Sequence, residues 1–440
     1  MESRQERVSR RDFMRTALRT GAAVGGLTIL GATAKGQGKA YRVGLIGCGG
    51  RGRDALRQHV EAAKILNDAL NLGVEVQVVA TADWFKKSAE DTGKKHNLPP
   101  DKCFGGPDNY RKLLEVPMDT VLMAQAPVFR PLHLEAAIQA GRNVFTEKPV
   151  AVDPPGCRRV IAAGKLAKDK GLMVVAGTQR RHEEGYNRQA AMIKEGALGK
   201  VLGGRVSWLQ GGIFHNNIMN PKGPDDVVRS GNWQLWIETS GDHICEQHVH
   251  NIDIANWFVG HVPVSAVGFG GRAHRRAGDM YDFFSGDLDY GDGVHIHSMC
   301  RQIAGCWGHP FEEFVYEKQP PAGFKLQNPL PYDGIPQKDK NNRGFGGHQQ
   351  EHINMLYYLV KGKPLNEAQN VAESTAVSIL IRDSAYTGKL ITWAEMMEPP
   401  KDPEKPPEAY NRQRRPTAED FEKPDCPMPK DGDAPIPGTA

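Results

Sequence analysis

The chain has 440 residues, long enough for two domains with cores of their own. Its composition, 39% hydrophobic and 25% charged, is that of a soluble globular protein, and a formal net charge of +4 is too small to make nucleic acid or an anionic membrane the main partner. The seven cysteines (Cys48, Cys103, Cys157, Cys245, Cys300, Cys306, Cys426) are odd in number and contain no Cys-x-x-Cys, which excludes a disulfide framework and a zinc or redox pair of that kind. Cys300 and Cys306 are close enough in sequence to pair, set against the reading of buried free thiols.

Residues 1–34 read as an address. Ser9-Arg10-Arg11-Asp12-Phe13-Met14 is a twin-arginine pattern, the run from Ala22 to Leu30 is mildly apolar, and Ala32-Thr33-Ala34 is a small-x-small cleavage site. The run is too short and glycine-rich to span a bilayer. The expectation is export to the periplasm in folded form, with any nucleotide cofactor loaded beforehand. The alternative is a chance arginine pair in a disordered tail.

Residues 41–176 alternate strand and helix, which predicts a doubly wound parallel sheet. Val43–Ile46 is the first strand. It runs into Gly47-x-Gly49-x-x-Gly52, and a helix carrying Ala55, Leu56 and Val60 follows. That order suits a dinucleotide: Gly47 for the turn, Gly49 for approach of a pyrophosphate, Gly52 for close helix–strand packing. Gly50 and Arg51 complete the candidate loop, whose helix N-terminus offers free N–H groups to phosphate. Val74 to Ala80 is the second strand, ending at Asp83, whose carboxylate can accept ribose hydroxyls and repel a 2′-phosphate. This favours NAD over NADP, although Lys86 and Lys87 lie close by and Asp83 can also serve as a helix N-cap. Thr120–Ala124 is a third strand, Pro127–Leu132 a turn, His133–Ala140 a helix, Val144-Phe145 a fourth strand, 156–170 a helix and Leu172–Val175 a fifth strand.

Glu147-Lys148-Pro149 directly follows the fourth strand, at the end where such sheets bind ligands. Together with the glycine loop, the run Ala140-Gly141-Arg142-Asn143-Val144-Phe145-Thr146-Glu147-Lys148-Pro149 resembles the glucose–fructose oxidoreductase / inositol dehydrogenase / MocA family. The resemblance covers about residues 41–395. It implies that Lys148 lies beside a nicotinamide and a substrate hydroxyl, with Glu147 also in the cofactor site. The family's Thr-Pro and histidine before the next helix are replaced by Ala126-Pro127-Val128-Phe129-Arg130-Pro131, leaving Arg130 or His133 to stand in.

From 177 the pattern changes to a helix at Tyr186–Ile193 and strands at Val201–Trp208, Ser265–Gly271, Met280–Leu288 and Val294–Cys300. This predicts an α+β domain over 177–397 with a large open, mostly antiparallel sheet. The resemblance implies that its free face makes a homodimer or homotetramer, and that His348–Leu359 and Val371–Tyr386 are closing helices. Residues 398–440, rich in proline and charge, read as an arm or tail.

The densest chemistry is Gly241 to Asp253. Read as one helix, Glu246 and His250 share a face, so the carboxylate would orient the imidazole and favour its protonated form. The family pattern aligns here as Glu246, His248, His250 and Asp253, which implies that His250 is the base, with Glu246 for the usual Asp and His248 for the usual Gly; His248 and Asp253 are expected to bind the substrate. A metal bound by His243, Glu246, His248 and His250 is a rival reading but needs a non-helical loop. Core histidines are the plainer one. Arg180, Arg181, His182 and Tyr186 follow the fifth strand and are candidates for sugar hydroxyls; Trp233 and Trp236 are candidates for stacking on a sugar ring.

The expected function is a nicotinamide-dependent oxidoreductase acting on a small carbohydrate or cyclitol, with a cofactor that stays bound. The alternatives are an NAD-dependent glycoside hydrolase, which oxidises, eliminates, hydrates and reduces again, and a non-catalytic sugar-binding protein.

Overall fold

The structure is a computed structural model describing residues 39–212, 231–275 and 278–398. The twin-arginine stretch and, past Glu398, the proline-rich tail lie outside those residues, as does Cys426.

The chain enters on β1 (Lys39–Ile46) and turns through Gly47 into α1 (Gly50–Leu70). α1 buries Ala55, Leu56, His59, Ala62, Ala63 and Leu66, the three-and-four spacing of a single helical face. It stops at Asn71 in the left-handed conformation, φ 50°. There follow β2 (Val74–Ala82), α2 (Lys86–Lys94), β3 (Cys103–Phe104), α3 (Asn109–Glu115), β4 (Thr120–Met123), α4 (Arg130–Gln139), β5 (Asn143–Thr146), α5 (Pro154–Asp169) and β6 (Val174–Ala176). These six strands form one parallel sheet in the order β3-β2-β1-β4-β5-β6. The order reverses between β1 and β4, and the crevice for a ligand lies there.

Two differences from the sequence expectation have simple causes. The sheet has a sixth strand, β3, whose two residues at the edge are too few to show any alternation. The turn expected over Pro127–Leu132 is a single 3-10 turn, Pro127–Phe129, and α4 begins at Arg130. Pro131 is accommodated in the first turn of α4, where a missing N–H costs nothing.

The second half continues through a 3-10 turn (Gln179–His182), α6 (Glu184–Lys194), β7 (Val201–Gln210), the short α7 (Ile237–Ser240), a π turn (Ile244–His248) and α8 (Val249–Val259). Then come β8 (Ser265–Gly271), β9 (Phe283–Asp289), β10 (His295–Gln302), β11 (Pro310–Tyr316), α9 (Gly347–Val360), α10 (Ala368–Thr387), β12 (Ile391–Thr392) and α11 (Trp393–Met397). The second sheet has the order β11-β7-β10-β9-β8-β12, with β7 and β10 parallel and the other neighbours antiparallel. α8 and α10 cover one face. The largest apolar cluster is continuous from Ile46 and Val144 of the first sheet, through Cys245 and Ile252, to Leu288, Ile296 and Ile381.

The six described cysteines are free; Cys306 is exposed, the other five are buried, and Cys300 and Cys306 are not bonded to each other. Among the described residues no helix is long and apolar enough to cross a membrane.

Candidate active site

The glycine loop is built by two close approaches. Gly47 has φ +93° and donates its N–H to Ala82 O at 2.8 Å; a Cβ there would lie 2.4 Å from Gln125 N. A Cβ on Gly52 would lie 1.8 Å from Gly47 O. Gly49 and Gly50 are the reverse case, with no atom within 4 Å of an added Cβ. No side chain caps the N-terminus of α1, so its first N–H groups face open space. A cavity of about 230 Å³ opens there, lined by Gly47, Gly49, Asp83, Ala126, Phe129 and Trp233 among others.

Asp83 accepts from Cys48 N (2.7 Å) and Phe85 N (2.9 Å), one bond on each oxygen. Each oxygen keeps lone-pair capacity for a ribose hydroxyl. Burial raises its carboxyl above the usual range, and those two N–H groups oppose the rise. Lys86 and Lys87 are paired with Glu90 (3.7 Å) and Asp91 (2.6 Å) on their own helix. The open glycine face, the uncapped helix and the half-buried carboxylate fit a dinucleotide, with the loop holding the pyrophosphate and Asp83 the adenosine ribose. When bound, that group supplies a site that accepts or returns a hydride.

Lys148 leaves the carboxyl end of β5, donates its ammonium to the carbonyl of Glu246, and lies 3.9 Å from the Glu246 carboxylate. This corrects the expected pairing. Glu246 does not hold His250; its cationic neighbours are Lys148 and Arg130. The cause is the π turn over Ile244–His248, which inserts a residue into the helical register and breaks the four-residue facing rule between 246 and 250. His250 is buried and its Nδ1 has no hydrogen-bond partner. Burial, and then the charges of Lys148 and Arg180, hold its ring well below the usual imidazole range, so it is neutral rather than protonated. Burial likewise raises the Glu246 carboxyl, against the pull of Lys148 and Arg130.

Other expected substrate contacts are spent inside the protein. His248 is fully buried with Nε2 2.8 Å from Ser298 Oγ, and burial lowers it to about 3, so it is no titrating group of an open pocket. Arg181 grips Asp253 through two bonds of 2.7 and 2.9 Å, which ties the 3-10 turn after β6 to α8 and leaves neither charge for a sugar. Arg180 is paired with Glu312, which also accepts from Tyr186 Oη at 3.0 Å. Trp236 is only 4% exposed, too little to offer a ring face, whereas Trp233 lines the cavity. His133 also lines it, stacked 4.0 Å from Tyr110 and lowered by burial to about 3. Arg130 is buried and donates to Pro149 O at 2.5 Å, bracing the residue after Lys148. His243 bonds to Asp242 (3.0 Å) and Cys300 (3.4 Å) in a buried chain. Among the described residues no group of three or more His, Cys, Asp or Glu side chains is placed to hold a metal ion.

Sequence reasoning missed four neighbours. Glu312 on β11 organises Arg180, Tyr186 and, at 2.6 Å, Asn251. Trp208 on β7 lies with its ring 5.6 Å from that of His250. His348 and Glu351 come from α9; His348 lies in the field of Arg51, Glu147 and Lys148, and Glu351 in that of Arg51 and Glu147. The available signal was the run Gln349 to His352 with Asn354, polar residues in a helix that is nonetheless buried nearly all round.

A Rossmann sheet with a conditioned glycine loop, followed by an open mixed sheet whose helix carries His250 towards Lys148, defines a two-part nucleotide-binding fold of the dehydrogenase kind. The chain belongs to the GFO/IDH/MocA oxidoreductase family: residues 41–178 match the model described as oxidoreductase family, NAD-binding Rossmann fold, and residues 186–312 match the GFO/IDH/MocA C-terminal domain, together more than half of the chain. It is 34% identical over 164 residues to an inositol 2-dehydrogenase of Pseudomonas fluorescens, a match covering 37% of this chain and 44% of that protein. A second inositol 2-dehydrogenase, from Ralstonia nicotianae, is 27% identical over 51% of this chain and 56% of its own length. The chain thus spans about half the length of these relatives. Its fold is shared with a levoglucosan dehydrogenase solved with NADH and levoglucosan, at 16% identity and TM-score 0.59, over 80% of this chain and 99% of that one.

Proposed function

We propose that the protein oxidises a hydroxyl of a small carbohydrate or cyclitol, or reduces the matching ketone, with NAD as hydride carrier. The observation that supports this most is that Lys148, at the crevice end of β5, and a neutral buried His250 with a free ring nitrogen stand in one electrostatic neighbourhood, beside an open dinucleotide loop. Neutral His250 can take the hydroxyl proton on its ring. Lys148 can donate to the same oxygen and stabilise the negative charge that builds there. Glu246, held by Lys148 and Arg130, aims the lysine rather than the histidine. Trp208 beside His250 offers an apolar face to ring C–H groups.

The twin-arginine pattern supports a periplasmic enzyme whose cofactor stays bound between turnovers, since no free dinucleotide pool exists outside the cytoplasm. It equally favours a closed redox cycle of the glycosidase type. A homo-oligomer through the second sheet is supported by the face opposite α8 and α10, over which no described helix packs. One cross-strand row there is Phe269, Ser285, Met299, Ser207 and Phe311, and the next is Asp287, His297, Arg205 and Glu313. Phe269 is 66% exposed, and charges of both signs lie side by side, which suits a two-fold copy of the same face.

The deciding experiment denatures the purified protein, identifies released nucleotide, and assays the native protein with inositols, free sugars and aryl glycosides. Formation of NADH with a polyol supports the dehydrogenase. Aglycone release with no net NADH would replace it by the hydrolase, and absence of both would leave only sugar binding.

A further inference from the structure

Arg51 lies within the glycine loop, at the start of α1, where a cation is naturally read as a phosphate ligand. Its side chain turns inward instead. Nε donates to Glu147 Oε1 at 2.5 Å, Nη1 to Gln58 Oε1 at 2.8 Å and Nη2 to Glu351 Oε1 at 3.1 Å. All three guanidinium nitrogens are engaged, and the two acids are among the most buried in the protein, with side chains 5% and 0% exposed. Glu147 is confined from the other side as well: its Oε2 occupies the space left by Gly177, where a Cβ would lie 2.6 Å away. Glu147 directly precedes Lys148. Groups of alternating sign are therefore linked in the order Glu351, Arg51, Glu147, Lys148, Glu246 and Arg130. They are brought together from α9, α1, the end of β5, the π turn and the start of α4.

We infer that Arg51 is a positioning residue: it fixes Glu147, and through it the direction in which Lys148 leaves the sheet, so that the cofactor loop and the lysine form one rigid unit. A planar guanidinium serves two carboxylates and an amide at set angles, which a lysine ammonium cannot do. Burial and the charge of Glu147 push the Glu351 carboxyl well above its usual range. A proton on Glu351 leaves Arg51 to neutralise Glu147 without a second buried negative charge beside it. The proposed function enters only through the choice of NADH as probe.

The test compares the wild type with Arg51→Met, Arg51→Lys and the double variant Arg51→Met/Glu351→Gln. NADH binding is followed by fluorescence titration, Lys148 acetylation by acetic anhydride and peptide mass spectrometry, and folding by thermal melting. For Arg51→Met the expected result is NADH affinity within fivefold of wild type and acetylation of Lys148 at least fivefold faster. Arg51→Lys falls between. The double variant replaces the buried Glu351 carboxyl that Arg51→Met leaves without its donor by an amide, so it melts no lower than Arg51→Met and keeps the fast acetylation. A more than fivefold loss of NADH affinity in the double variant makes Arg51 a phosphate ligand and overturns the inference. So does Lys148 acetylation less than fivefold faster in that folded protein. If the wild type itself binds no NADH, the cofactor reading fails, while the acetylation rates still decide the role of Arg51.

Discussion

An alanine at Gly49 would meet no protein atom within 4 Å, whereas one at Gly52 would strike the Gly47 carbonyl. The two substitutions therefore separate binding from folding. Gly49→Ala is expected to melt within about 2 °C of wild type, since exposed helix-end changes cost only tenths of a kcal/mol, yet to bind NADH at least tenfold more weakly. Gly52→Ala is expected to lose both. Equal NADH affinity in Gly49→Ala would place the pyrophosphate elsewhere. At the chemical end of the site, Lys148→Ala and His250→Ala should each lower turnover by roughly a hundredfold or more, the usual size of a general acid–base contribution, with NADH still bound. Near-normal rates in both would remove them from the mechanism. Because His250 is held neutral well below pH 6.5, its protonation should depress turnover only on the acid side of that value. An acid limb centred above pH 7 would point to a different base.

At the scale of elements, the π turn decides which side chains meet. It detaches Glu246 from His250 and presents it to Lys148. The Arg181–Asp253 pair then pins α8 to the turn after β6, with side chains only 12% and 2% exposed. Removing one partner of a buried pair costs about 3–5 kcal/mol, because the other charge is stranded. Asp253→Ala should accordingly melt far below wild type, while a surface pair such as Arg57–Glu61 should be nearly silent when broken. If Asp253→Ala melts normally but loses substrate affinity, the pair is functional and not structural. The proposed pairing of copies through the second sheet makes its own prediction: if the wild type sediments as an oligomer, Met299→Asp and Phe269→Asp, in the middle and at one end of the same row, should yield a monomer with the fold intact.

For the molecule as a whole, the buried histidines set the response to acid. His59, His133, His243, His248, His250 and His352 all have lowered pKa values, with burial the leading cause in each; His59 falls to about 4 and His133 and His248 to about 3. The unfolded chain takes up protons below about pH 6.5 that the folded chain refuses there, until near pH 3–4 at His59, His133 and His248, so the histidine contribution to stability is full above 6.5 and declines as pH falls below it. The loss is on the order of 1 kcal/mol per histidine per pH unit. His182, raised by Glu367 despite burial, His295, raised by Asp287, and the carboxyls Asp83, Glu183, Glu246 and Glu351, raised by burial, act in the opposite sense; among the histidines the lowered ones outnumber the two that are raised. The melting temperature should drop between pH 7.5 and 5.5, and His59→Leu should flatten that drop. A melting temperature that holds or rises towards pH 5.5 would contradict this account.

Local pattern carried the fold a long way. The glycine loop, β2 ending near Asp83, β5 running into Glu147-Lys148, the long α9 and α10 and the shift to open-sheet strands after residue 177 all follow from apolar periodicity and turn residues, because those forces act over a few neighbouring positions. The edge strand β3 was too short to show itself, and β11, with Glu312 and Glu313 among its aromatics, reads poorly as a strand. The site was legible as a set of residue types and not as a set of pairs. Nothing near Arg51 in sequence announces that its two acidic partners are 96 and 300 positions away. Nothing near Asp253 announces Arg181, and the helical rule that joined Glu246 to His250 fails on one inserted residue. Residue chemistry and order thus settled the family, the Rossmann order and the identities of Lys148 and His250 as candidates. Which carboxylate faces which cation, and which histidines stay neutral, was decided only when distant elements packed together, because burial and charge pairing depend on neighbours in space and not along the chain.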